Sequence, residues 1–294
     1  MSAIVEDVAD TSKQGMLRAM LSRASVEVTP GNNAAQMDEL KTYFPRGTDV
    51  HVAFLPNGTY LQSVETARQL REAGFNPVPH VAARAIESRA ALEDFIARAR
   101  GEAGVQRTLM IAGDLPEPRG PFSASIEVLE TGVLQKHGLR AISVAGHPEG
   151  HPVVAADVME RALKAKLAFA RKEGIEVSVI TQFCFEAAPI TDYVRRLRAD
   201  GIAAPVRVGV AGPAGLMTLV KYGMRCGVGN SLRALRSKAD IFGRLASDTP
   251  PDEILNEVAA AEAAGEIGGI AGVHFYVFGG LRKTGQWLRA ALAR

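Results

Sequence analysis

Val177-Ser178-Val179-Ile180-Thr181 is followed by a helical stretch from Thr191 to Asp200, a stop at Gly201, and then Val206-Arg207-Val208-Gly209-Val210. A short β-branched run, an amphipathic segment ended by glycine and a second β-branched run make the signature of a βαβ unit. The same alternation extends in both directions. Upstream lie Ser25-Val26-Glu27-Val28, Val50-His51-Val52-Ala53-Phe54, Pro77-Val78-Pro79-His80-Val81, Thr108-Leu109-Met110-Ile111-Ala112 and Ala141-Ile142-Ser143-Val144; downstream lies Gly272-Val273-His274-Phe275-Tyr276-Val277. Several of these runs are apolar at successive positions, as strands covered on both faces are. Between them, Tyr60 to Ala73 carries Leu61, Val64, Ala67 and Leu70 on one stripe before Gly74, and Ser88 to Ala103 carries Leu92, Phe95, Ile96 and Ala99. A long segment with a basic face, Val153 to Glu173, stops at Gly174. Glycine after the last periodic residue is the usual helix stop. The count predicts an α/β chain folded as a (β/α)₈ TIM barrel. An extra N-terminal helix falls within Met1 to Met20, and a polar, basic helical insertion from Asn230 to Asp248 precedes the last strand. A doubly wound open sheet is the competing architecture and usually has fewer strands. No Pro/Ser/Gly-rich linker divides the chain, so residues 1–294 read as a single domain.

Composition narrows the function classes. The chain has 294 residues, 47% hydrophobic and 22% charged, which excludes disordered, collagen-like and coiled-coil chains. Thirty-four Lys and Arg against 32 Asp and Glu leave a net charge of +2, no electrostatic footprint for nucleic acid or an acidic membrane surface. No apolar run reaches transmembrane length, and the first residues carry Glu6, Asp7 and Asp10 without an apolar signal core. Cys184 and Cys226 lack paired metal-ligand spacing and read as reduced core thiols of a cytoplasmic protein.

In a barrel, chemistry collects where strands end, and those positions are polar here. Glu27 lies in the first run, His80 in the third, and Gly113-Asp114 follow the fourth. His147-Pro148-Glu149-Gly150-His151 follows the fifth, Gln182 the sixth, and His274 and Tyr276 belong to the last. Burial near a strand end predicts a raised pKa for Glu27, suiting it to general acid work. Each residue also has a purely structural reading: Glu27 in an ion pair, His80 as a satisfied buried ring, Asp114 in a turn, Gln182 capping a strand. Their shared location favours function. Histidines four apart at 147 and 151 invite a zinc reading, but Pro148 and Gly150 break the helix it needs, so no metal site is expected. Gly227-Val228-Gly229-Asn230 follows a helix rather than a strand and is a poor dinucleotide fingerprint.

The ordered set of motifs resembles the methylenetetrahydrofolate reductase family. Ser25-Val26-Glu27-Val28-Thr29-Pro30 is similar to its opening Ser-Phe-Glu-Phe-Phe-Pro, Pro79-His80-Val81 to Pro-His-Leu, and Ala112-Gly113-Asp114-Leu115-Pro116 to Arg-Gly-Asp-x-Pro without the Arg. Ala145 to Pro152 is similar to Ala-x-Tyr-Pro-Glu-x-His-Pro, Ile180 to Phe185 to Ile-Thr-Gln-Phe-Phe-Phe, and His274-Phe275-Tyr276 to the final His-Phe-Tyr. The resemblance implies a catalytic barrel in which FAD carries a hydride from NADH or NADPH to 5,10-methylenetetrahydrofolate, giving 5-methyltetrahydrofolate, or runs the reverse reaction. It implies Glu27 as general acid and Asp114 as the carboxylate that holds the pterin and tunes the flavin. Gln182, Asp114, Met217 and Tyr276 would contact substrate. His80, Ala112, Gly113, Asp114, Ser123, His147, His151 and Lys166 would surround the FAD. Tetrahydrofolate derivatives are the expected partners, and a homo-oligomer is left open. The departures fall on the flavin side: Ala112 and Ala165 stand where the family has arginines, and Phe54 to Gly58 replaces its Thr-Tyr-Gly stretch. Two alternatives therefore stay open, a folate-dependent one-carbon enzyme with other donor chemistry and a non-catalytic folate-binding subunit.

Overall fold

A computed structural model of the chain describes residues 10–31, 34–55, 57–228 and 248–294. Eight parallel strands close into a barrel: β1 (Ser25–Val28), β2 (Asp49–Val52), β3 (Asn76–Ala82), β4 (Arg107–Ile111), β5 (Ala141–Gly146), β6 (Glu176–Thr181), β7 (Val206–Ala211) and, after a two-residue antiparallel pair β8 (Ala214–Gly215) and β9 (Asp248–Thr249), β10 (Ile270–Tyr276). From β1 to β7 each strand pairs with the next in sequence, and β10 closes the ring between β7 and β1. The helices outside are α1 (Lys13–Ser22), α2 (Ala34–Tyr43), α3 (Tyr60–Glu72), α4 (Arg89–Ala103), α5 (Ser125–Glu130), α6 (Val133–Lys136), α7 (Ala156–Lys172), α8 (Ala187–Ala199) and α9 (Leu216–Arg225), then Asp252–Ala263 and Leu281–Leu292. Among the described residues no helix is long and apolar enough to cross a membrane.

The TIM-barrel expectation holds, with four adjustments. The N-terminal helix covers Lys13–Ser22, opened by Ser12, whose hydroxyl accepts from Gly15 N–H; the expected part over residues 1–9 lies outside the described residues. The expected insertion from Asn230 lies outside them too, apart from Asp248, which pairs in β9. α8 begins at Ala187 rather than Thr191, because Pro189 sits in the first turn, where its missing N–H has no intrahelical partner to lose. The strand predicted from Val50 to Phe54 ends at Val52.

The strands are not uniformly apolar. Paired positions in parallel strands share a face. Val26, Val28, Val50, Val52, Val144, Val179, Val208 and Val210 face outward into the main hydrophobic core with the helices. The inward set is polar: Ser25 pairs with His274, Glu27 with His51, His80 with Leu109, Leu109 with Ser143, and Ser143 with Ser178. At the N-terminal end the interior is closed by ion pairs between Arg107 and Glu176 and between Arg207 and Asp49 (3.1 Å). Asn76 Nδ2 also donates to Asp49 Oδ1 at 3.3 Å. Above this floor Ser143 Oγ and Ser178 Oγ are hydrogen-bonded at 3.0 Å. Polar groups closed off from water need such partners, and this pair of serines supplies its own.

Candidate active site

Glu27 is a carboxylate set within the barrel wall, on β1. Its Oε2 lies 3.5 Å from His80 Nε2 and 3.8 Å from His274 Nε2, and its side chain keeps 24% of its exposure while the two imidazoles are buried. A third buried ring, His51 on β2, stands edge-on to His274 at 4.6 Å and to His80 at 5.7 Å between ring centres. Register brings them together: β1 lies between β2 and β10, and β3 adjoins β2. His51 Nδ1, His80 Nε2 and His274 Nε2 are buried without a hydrogen-bond partner. His274 alone of the three rings is anchored among the described residues, its Nδ1 3.0 Å from Ser25 Oγ.

This cluster corrects the expected titration of Glu27. Burial pushes the carboxyl pKa up, but the neighbouring imidazoles of His274 and His80 pull it down further, so the net shift is downward. The sequence shows the burial and hides the imidazoles, which arrive from other strands. Burial lowers His80, with Glu27 opposing and His274 reinforcing. His51 is pushed well below the ordinary histidine range by burial, then by His274, His80, Arg207 and Arg107. No group of His, Cys, Asp or Glu among the described residues is arranged to hold a metal ion, this cluster included.

Adjoining it, β6, β7 and β10 meet in an aromatic cluster, where Tyr276 stands edge-on to His274 at 4.9 Å between ring centres. Tyr276, the last residue of β10, donates its hydroxyl to Thr181 O at 3.2 Å, and its ring lies across Gly209. A Cβ at Gly209 would stand 2.0 Å from Thr181 O and 3.0 Å from the Tyr276 ring, so only glycine admits this approach. Phe183 packs edge-on against Phe185, Tyr276 and Phe278, and Phe278 stacks on Tyr222 of α9 at 4.1 Å. Burial, then the charge of Glu27, holds the Tyr276 phenol well above its usual range. Sequence reasoning assigned no role to Phe183, Phe185, Tyr222 or Phe278; a motif with two phenylalanines flanking Cys184 was the available signal.

The remaining expected residues spread around the C-terminal mouth of the barrel. Gln182 directly follows β6; its N–H donates to Gly146 O, and its Oε1 accepts from Phe183 N–H. Ala112, Gly113 and Asp114 follow β4, with Asp114 exposed and Gly113 at φ +92° over Ala82. Ser123 is exposed before α5; its N–H donates to Glu127 and its carbonyl accepts from Arg84. Met217 points outward from α9, 70% exposed, and is not drawn into the cluster. His147 to Gly150 form a tight turn closed by Gly150 N–H to His147 O, not a helix, and the rings of His147 and His151 meet edge-on at 5.6 Å.

Cys184 is a buried core thiol as expected, raised by burial and then by Glu149. Cys226, half-buried just beyond α9, belongs to the mouth instead: burial and then the charges of Asp114 and Glu27 raise its pKa, while Arg225 lowers it. One residue on, a Cβ at Gly227 would meet Pro152 at 2.5 Å. The end of α9 therefore reaches from the β7 side across to the loop after β5.

Residues 22–224 match the family model described as methylenetetrahydrofolate reductase. The chain belongs to that family. It is therefore a member of a family of folate-linked one-carbon oxidoreductases. The matched span holds Glu27, His80, Asp114 and Gln182 and stops before the strand of His274 and Tyr276. Among solved structures, this reductase-family barrel is similar to a mutant tryptophan synthase α-subunit from Pyrococcus furiosus (14% identity, 92% of this chain and 96% of that one, TM-score 0.48). It is also similar to a mutant GH128 endo-β-1,3-glucanase from Amycolatopsis mediterranei (11% identity, 92% and 98% covered, TM-score 0.45). Likeness at this level says nothing of activity.

The family is generally flavin-associated, and the residues around α7 fit the anionic part of such a group. Lys166 is buried on the core face of α7, and no hydrogen bond or ion pair engages its ammonium among the described residues; burial pulls it down to about 8. Burial, then the charges of His151 and Lys166, brings His147 down to about 4. A partly desolvated cation beside two imidazoles is a donor set for a diphosphate. Beyond β4 the fit is thinner. Ala112 supplies no cation, and the neighbouring Arg84 guanidinium is spent on the carbonyls of Leu115, Pro116 and Ser123.

Proposed function

We propose that this chain catalyses the flavin-dependent reduction of 5,10-methylenetetrahydrofolate to 5-methyltetrahydrofolate, or the reverse, with NADH or NADPH as donor. The observation that carries the reading is Glu27: a carboxyl at the barrel mouth, in the family's opening motif, within 4 Å of two buried imidazoles. Such a group can hold a proton and release it to a folate nitrogen as the methylene bridge opens. Asp114, exposed on the rim, is available to hydrogen-bond the pterin, and Gln182 and Tyr276 to orient it beside the aromatic cluster; Met217 would touch the substrate from α9. Lys166, His147 and His151 would hold the diphosphate of FAD, with His80, Gly113, Asp114, Ala112 and Ser123 around the rest. Bound flavin would supply hydride transfer between donor and folate. The protein's part is to orient the partners, exclude water and supply the proton.

The test is a visible absorption spectrum of the purified protein with and without added FAD, followed by detection of 5-methyltetrahydrofolate after incubation with donor and methylenetetrahydrofolate. Flavin bands and donor-dependent product support the reading. A protein that stays colourless at high micromolar FAD yet turns over folate moves it to the alternative of other donor chemistry, which Ala112 and Ala165 leave open. Folate binding without turnover leaves the folate-binding subunit.

A further inference from the structure

Three buried imidazoles surround Glu27, and they are not equivalent. Ser25 Oγ lies 3.3 Å from Val273 O and 3.0 Å from His274 Nδ1 and has one proton to give. Both contacts are hydrogen bonds at once only when the hydroxyl donates to Val273 O and Nδ1–H donates to the hydroxyl. The neutral ring then carries its proton on Nδ1 and presents a bare Nε2, and that nitrogen faces Glu27 Oε2 at 3.8 Å with no other partner. No such bond fixes His51 or His80 among the described residues.

We propose that Ser25 and His274 are positioning residues that make Glu27 and His274 a pair sharing one proton, the proton the reaction consumes. The inference deepens the reductase reading and rests on it. A bare Nε2 opposite a carboxylate leaves a gap that one proton fills, held as carboxylic acid against imidazole or as carboxylate against imidazolium. When Glu27 Oε2–H gives its proton to the folate nitrogen, the pair is left as carboxylate against neutral imidazole with no shared proton. The next proton enters from solvent at the partly exposed Glu27 and is again held between Oε2 and Nε2. The 3.8 Å separation is longer than a hydrogen bond, as catalytic contacts often are before substrate tightens them. The groups facing the pair are His51 on β2, His80 on β3, Tyr276 on β10 and Cys226 beyond α9.

The experiment is ¹⁵N NMR of histidine-labelled, cofactor-free protein through a pH titration, for the wild type, Ser25→Ala and Glu27→Gln, with the pH profile of folate turnover measured alongside. The expected wild-type result is a His274 ring that is Nδ1-protonated when neutral and whose titration moves to lower pH in Glu27→Gln. Ser25→Ala loses the tautomer preference, and its kcat falls roughly 10- to 100-fold, less than removal of the acid itself, with KM for folate held and the pH limb displaced. A neutral His274 protonated on Nε2 in the wild type overturns the proposal whether or not Ser25→Ala folds. So does a Ser25→Ala enzyme whose kcat drops with the pH profile unmoved. If the tautomer and the Glu27-linked titration are as expected but no folate turns over, the shared proton stands and the reductase reading falls.

Discussion

Replacing Lys166 by Met keeps the length of the side chain and removes a charge that the fold desolvates. Lys166 is 9% exposed on the face of α7 that carries Leu163 and Ala170. Burial takes its pKa from 10.5 to about 8, which disfavours the charged form by about 3 kcal/mol in the folded state. The folded pKa lies below the unfolded one, so between pH 8 and 10.5 the unfolded chain binds more protons and wild-type stability rises with pH. Below that window the penalty is fully present. Cofactor-free Lys166→Met is therefore expected to be more stable than wild type at pH 7, by up to about 3 kcal/mol, with the margin shrinking by about 2 kcal/mol at pH 9.5. The same change should weaken FAD binding roughly 10- to 150-fold, the worth of one charge-assisted hydrogen bond of about 1.5–3 kcal/mol. Urea unfolding at the two pH values and a fluorescence titration with FAD measure the two effects. A variant less stable than wild type at pH 7, or a margin indifferent to pH, refutes the strained cation; unchanged FAD affinity refutes its role as diphosphate ligand.

Glu27→Gln should lower folate turnover by about 10²–10⁴-fold while FAD affinity, read by titration, stays within a few-fold; equal loss of both would make Glu27 a structural residue. Ala112→Arg returns a cation to an exposed position after β4 and should tighten FAD binding by about 1.5–3 kcal/mol; no gain would place the flavin elsewhere. Gly209→Ala would drive a methyl to 2.0 Å from Thr181 O and against the Tyr276 ring, at a cost of about 1–3 kcal/mol in urea unfolding; a neutral result would mean that β7 yields freely.

The barrel was legible because its signals are local: β-branched runs, amphipathic stripes, and glycines such as Gly74, Gly174 and Gly201 that take positive φ just past helix ends. The start of α8 was not legible, because whether Pro189 lies before the helix or within its first turn, where proline is harmless, is not visible in a one-dimensional pattern. The chemistry-bearing residue types were legible for the same local reason, through motifs around Glu27, His80, Asp114 and Gln182. The electrostatics of Glu27 were not. They depend on which face each strand turns inward and on β10 closing against β1, and that puts His274 beside a carboxylate from the other end of the chain. The aromatic cluster is non-local in the same way, drawing Tyr222 from α9 to Phe278 beyond β10.

The separation of outward valines from inward polar groups bears on how such a chain diversifies. Along each strand the two sets alternate, so replacing an inward residue leaves the helix-packing layer untouched. The valines at 26, 28, 50 and 52 bind the wall to its helices whatever stands at 27 or 51. Strand-end residues such as Ala112 are freer still, being exposed. A lineage built this way can exchange donors, cofactors and proton carriers by single substitutions at small cost to folding. Drift in chemistry should therefore outpace drift in architecture, and relatives that share the wall need not share the reaction.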